Sequence, residues 1–120
     1  MRETIRVLIT QKQLDSLLLN YYKKEFNDET IKITRTVSSD SYHDDIVINT
    51  INRKLKIGDY EAEKEYGLGY EEIKNVINKN LEQYGYEVSN FSYEISNKKV
   101  VGVSVFVNQL QKSKQKVLRW

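Results

Sequence analysis

The side chains with the vocabulary for chemistry gather in one short stretch, "SSDSYHDD" at 38–45, where Asp40, Asp44 and Asp45 flank His43, the only histidine of the chain. A histidine among acids is the donor set of a divalent-cation site or of a general base. The spacing fits neither well. The best-defined acidic loop needs a glycine at its sixth position and an acid at its twelfth, and this stretch holds no glycine. A Ser-His-acid arrangement would have to use His43 itself, on a segment that reads as a loop. The stretch is expected to be a solvated turn, and no catalytic residue, metal or cofactor is assigned.

Gly67-Leu68-Gly69 is the nearest approach to a phosphate loop. It precedes a helix start, where anions are favoured, but Glu71 and Glu72 beside it would repel a phosphate, so nucleotide binding is not expected.

Two other stretches can recognise a macromolecule. Between 59 and 72 lie six acids and one lysine, a local charge of −5, with Tyr60, Tyr66 and Tyr70 interleaved. Tyrosine is enriched at protein interfaces, so Asp59, Tyr60, Glu61, Glu63, Glu65 and Tyr66 form a candidate protein-binding surface. An acidic row on an edge strand would also suit a phage or mobile-element inhibitor that mimics phosphates toward a basic host protein. The competing explanation is local: charge on an edge strand blocks unwanted pairing, and Glu71 and Glu72 face the positive end of a helix dipole. The second stretch is the C-terminal "NQLQKSKQKVLRW", where Lys112, Lys114, Lys116 and Arg119 meet no acid and Trp120 can stack on a base. With Lys23, Lys24, Lys98 and Lys99 it supports an alternative, a nucleic-acid-binding accessory protein.

The elements that must position these residues are legible from periodicity. Ile5, Val7 and Ile9 alternate with Arg6, a strand. Thr10-Gln11-Lys12-Gln13 is a capping-box pattern, with Ile9 and Leu14 placed as its hydrophobic staple. Leu14, Leu17, Leu18, Tyr21 and Tyr22 follow on one helical face, closed by Phe26. Ile31, Ile33 and Val37 make a second strand whose inward row is interrupted by Arg35, and 46–57 reads as a third. Gly58-Asp59 suits a type II′ hairpin turn. That turn sets Ile57 opposite Tyr60, Lys56 opposite Glu61, Leu55 opposite Ala62 and Lys54 opposite Glu63, with opposite charges paired on one face and apolar residues on the other. A short helix over 60–66, capped by Asp59, is the competing assignment. From Tyr70 a second helix carries Ile73, Val76, Ile77, Leu81 and Tyr84 in one stripe, between Gly69 at its cap and Gly85 beyond its end.

Two strands, "YEVSNFSYEIS" and "VVGVSVFV", complete the pattern. Matching their apolar faces favours a three-residue loop near Asn97-Lys98. Both faces of the last strand are apolar, so Val100 and Phe106, opposite the valine row, form a candidate self-association surface, as in a homodimer. The order β-α-β-β-(β)-α-β-β predicts an α+β two-layer sandwich, mainly antiparallel, with two helices on one face of the sheet.

The chain of 120 residues suits one domain, 1–108, followed by a basic tail, 109–120. With 19 basic and 17 acidic side chains the net charge of +2 favours no nucleic-acid or membrane partner by itself. The absence of cysteine excludes disulfides and thiolate metal sites and makes a cytoplasmic location the expectation. The apolar run after the N-terminus is too short for a signal peptide. Abundant Lys, Asn, Ile and Tyr suit an AT-rich bacterial or phage genome. A non-enzymatic protein that acts through protein contacts and self-association is the reading these residues favour.

Overall fold

The computed structural model describes residues 3–40 and 43–110, with backbone alone at 39, 40, 43 and 44. The chain opens with β1 (Ile5–Thr10) and α1 (Gln11–Glu25). The change of period is enforced at Thr10: its N–H donates to Gln13 Oε1 at 2.9 Å, and the Gln13 N–H donates to Thr10 Oγ1 at 3.2 Å. This reciprocal box satisfies two amides that the helix leaves without internal partners. Leu14 and Leu18 are fully buried beneath it.

Three strands then form an antiparallel meander: β2 (Lys32–Asp40), β3 (His43–Ile57) and β4 (Tyr60–Leu68), in the order β2-β3-β4. The expected solvated turn over 38–45 is mostly strand, because the β2–β3 ladder continues to the pair Asp40 and His43. The assignment of 60–66 as strand rather than helix holds, with all four pairs predicted from the turn present in the ladder. Gly58 has φ +62 and Asp59 is not in the left-handed region, as a type II′ turn requires. With 15 residues, β3 extends over roughly 50 Å at ~3.4 Å per residue, most of the 60 Å long axis of the molecule.

The second helix, α2 (Tyr70–Glu82), begins after Gly69, whose N–H donates to Glu72 Oε1. Ile73, Val76, Ile77 and Leu81 are buried, whereas Tyr84 lies past the helix end and is exposed, so it leaves the predicted stripe. The final strands, β5 (Tyr86–Ser96) and β6 (Lys99–Gln109), complete a second antiparallel sheet in the order β1-β6-β5. Last in sequence, β6 runs through the middle.

The β5–β6 turn differs from the three-residue loop expected. Ser96 pairs with Lys99, and Asn97 and Lys98 both have positive φ, a two-residue type I′ turn. The face conflict that such a turn creates is absorbed by a bulge. Glu94 pairs with Gly102 but Ile95 with Val100, so Val101 is the extra residue, and Phe91 and Tyr93 still meet Val105 and Val103. A second irregularity at Ser89 brings both Val88 and Phe91 into the core, three residues apart.

The element order and α+β class are as the pattern predicts, but the strands divide into two three-stranded sheets rather than one. Val103, Val105 and Val107 of β6 share one core with α1 and α2, and Ile51 and Leu68 of the β2-β3-β4 sheet close against it. Among the described residues, no helix is long and apolar enough to cross a membrane.

Candidate protein-binding arm

Arg35, the polar interruption of the β2 row, is the anchor of a buried connection between the sheets. Its Nη2 donates to Asp15 Oδ1 of α1 at 2.7 Å, and its Nε donates to Asn49 Oδ1 of β3 at 2.7 Å. Asn49, with no exposed surface, donates in turn from Nδ2 to the Tyr93 hydroxyl of β5 at 2.9 Å. Burial pushes the Tyr93 hydroxyl above its ordinary pKa, against the lowering effect of Asn49. The chain of bonds is satisfied at each member, the condition for a buried polar group to be tolerated.

A second clamp holds β3 and β4 to the end of α1. The Phe26 ring stacks on Tyr22 and Tyr66 at centroid separations of 6.2 and 5.2 Å, and the Arg53 guanidinium lies 4.7 Å from its centroid. Arg53 donates to Asp28 Oδ2 at 3.1 Å. Asp28, which also accepts from the hydroxyl and backbone of Thr30, is held below the usual carboxylate range by those bonds and by Arg53. Lys64 Nζ sits 5.4 Å from the Tyr66 ring centroid, and Lys64 and then Arg53 lower the Tyr66 hydroxyl against its desolvation.

Beyond this clamp the β3–β4 hairpin continues without support from any other element among the described residues. The third strand ends where Lys32 pairs with Asn52, so 54–63 is a two-stranded arm. Its two faces differ. Leu55 (39% exposed), Ile57 (61%) and Tyr60 (78%) share one face with Ala62, while Lys54 opposite Glu63 and Lys56 opposite Glu61 occupy the other. Isolated two-stranded ribbons are marginal in water, and clustered large apolar side chains on such a ribbon mark an interaction surface more often than a solvated one.

The six residues predicted to bind a protein are therefore not one surface. Glu61, Glu63 and Glu65 are exposed on the outer face of β4, an edge strand. Tyr60 lies on the opposite face at the tip, Asp59 is exposed in the turn, and Tyr66 is engaged in the clamp. The acid row is also diluted, since Lys54 and Lys56 stand across from Glu63 and Glu61. Glu72 is occupied at the helix cap.

The pair Val100 and Phe106 does not form the expected face. The bulge sets Val100 opposite Ile95, where it is only 4% exposed, and leaves Val101 (53%) in the open beside Leu8 (64%). Phe106 is partly buried, between Arg6 and Asn90 in the ladders. Lys112, Lys114, Lys116, Arg119 and Trp120 lie outside the described residues. Of the other lysines, Lys98 and Lys99 are at the β5–β6 turn and Lys23 and Lys24 in the last turn of α1. That helix starts beside Gly102, the partner of Thr10, and runs ~22 Å from it, so these lysines do not form one basic patch. Among the described residues, no three His, Cys, Asp or Glu side chains converge as a metal site.

Sequence reasoning paired Leu55 and Ile57 with Ala62 and Tyr60 on the apolar face of the hairpin but did not single them out as surface. The available signal was length: β3 has more residues than β2 can cover. Compared with protein-family models, curated proteins and solved structures, the chain matches no family, no curated protein and no solved structure.

Proposed function

We propose that this is a non-enzymatic protein-binding module whose β3–β4 arm, residues 54–63, is the contact surface. The observation that carries the reading is the exposure of Leu55, Ile57 and Tyr60 together on a hairpin face that no element among the described residues covers. Apolar anchors at the centre and charge at the rim are the division found in protein interfaces. Alternating Lys54, Lys56, Glu61 and Glu63 suit a rim better than a phosphate mimic, which needs one sign of charge.

The test is a pull-down from a lysate of the source cell with the full chain as bait. Ile57→Ser/Tyr60→Ser should lose the retained protein, while Glu61→Lys/Glu63→Lys/Glu65→Lys should weaken it in a salt-dependent way. Equal retention by wild type and by the Ile57→Ser/Tyr60→Ser variant, both folded by circular dichroism, removes the arm as the binding surface.

A further inference from the structure

A second surface of the chain has the complementary character. β1 is the edge strand of its sheet. It pairs with β6 through six successive residues without a bulge, and it has no proline and no charge on its inward row of Ile5, Val7 and Ile9. Of the usual devices that protect an edge from pairing it has neither a proline nor a bulge, and its one charge, Arg6, is on the outward row. Beside it a groove of about 490 Å³ opens against the helices, lined by Val7, Leu17 and Leu81 with Lys12, Gln13 and Asn20. The charge here is of one sign, because residues 5–13 carry Arg6 and Lys12 and no acid, a net of +2.

The arm supplies what this edge lacks. β4 is itself an edge strand, and residues 60–68 carry three glutamates and one lysine, a net of −2. The unsupported part of the arm has four residues per strand, roughly 14 Å, so it fits within the six residues of β1, which span roughly 20 Å. Faces match as well as lengths. Antiparallel pairing with Arg6 opposite Glu63 sets Val7 opposite Ala62 and Ile9 opposite Tyr60, so the apolar face of the arm turns toward the groove and the acids toward Arg6. Leu8 opposite Glu61 is an indifferent pair in this register.

Resting on the reading of the arm as a binding surface, we propose that its partner is a second copy of this chain: the arm of one copy adds as a strand to the β1 edge of the other, with Ile57 and Tyr60 over the groove. Strand addition takes its affinity from main-chain bonds and its specificity from alternate side chains. Reciprocal exchange of two arms closes as a twofold dimer.

Sedimentation velocity over a concentration series, at low salt and with the full chain, tests this. Wild type should associate, and Ile57→Ser/Tyr60→Ser should sediment as a monomer. Arg6→Glu and Glu63→Arg, both at exposed positions, should each weaken association by about fivefold by placing like charges across the pair. Arg6→Glu/Glu63→Arg should recover it, a readout that misfolding would not give. A strict monomer overturns the inference while leaving a foreign partner for the arm, as the pull-down would reveal. Association that is lost in the tip variant but indifferent to Arg6→Glu also overturns it, because the arms would then meet tip to tip.

Discussion

Replacing Asn49 by alanine tests whether the two sheets are joined by the buried polar chain or merely by apolar contact. The substitution removes the acceptor of Arg35 Nε at 2.7 Å and the donor to Tyr93 at 2.9 Å. Asn49 has no exposed surface and the Arg35 side chain only 8%, so water does not readily replace either bond. A hydrogen bond to a charged group contributes about 1.5–3 kcal/mol and a neutral one about 1 kcal/mol, which gives a loss of about 2.5–4 kcal/mol. At an m-value of ~1.5 kcal/mol/M, the urea midpoint should fall by about 2 M. Tyr93→Phe removes only the last link and should cost about 1–2 kcal/mol. Asp15→Asn should cost less than about 1 kcal/mol, because the Asp15 side chain is 36% exposed and solvent replaces the ion pair. Urea unfolding followed by circular dichroism gives all three values. A loss below about 1 kcal/mol for Asn49→Ala would refute the connection. Strict additivity of Asn49→Ala and Tyr93→Phe would also do so, since bonded neighbours should couple by roughly 1 kcal/mol.

Two further outcomes follow from local geometry. A Cβ at Gly102 would lie far inside contact distance of the Ile9 carbonyl oxygen, so Gly102→Ala should destabilise by about 2 kcal/mol or more and deprotect the β1 amides in hydrogen exchange; an unchanged midpoint would mean that β1 and β6 are not so closely paired. Burial, with smaller contributions from Glu72, Tyr21 and Glu25, pushes Tyr22 from 10.0 up to about 12. The unfolded chain therefore gives up this proton first, so stability is unaffected below pH 10 and declines as pH rises toward 12. Absorbance titration near 295 nm should show Tyr22 ionising late, and Tyr22→Phe should lessen the alkaline loss; a variant titrating and unfolding like wild type would contradict this.

Local chemistry carried most of the fold. Thr10 and Gln13 marked a helix start that the hydrogen bonds reproduce, and Gly58 with the alternation on either side set the register of a hairpin to the residue. Where two local rules conflicted at Asn97-Lys98, weighing one against the other led to the wrong loop. The chain satisfies both, by spending one residue, Val101, in a bulge that neither rule contains. The division into two sheets was not legible, because partnership between strands distant in sequence leaves no trace in periodicity. Arg35 looked like a defect until Asp15 and Asn49 were brought to it. The arm was half legible: its pairing was written in the turn, but its exposure depends on where β2 starts.

The central place of β6 bears on how the chain is made. Ile5 pairs with Val107, so β1 leaves the ribosome about a hundred residues before the strand it pairs with, and at 5–20 residues per second that delay is about 5–20 s. During it the β2-β3-β4 meander, whose pairings are all between successive strands, can form alone, while β1 has no neighbour on either side. An apolar strand kept waiting in this way is a point at which nascent chains can capture one another, and the capped helix that follows at once from Thr10 gives Val7 and Ile9 an early surface to rest against.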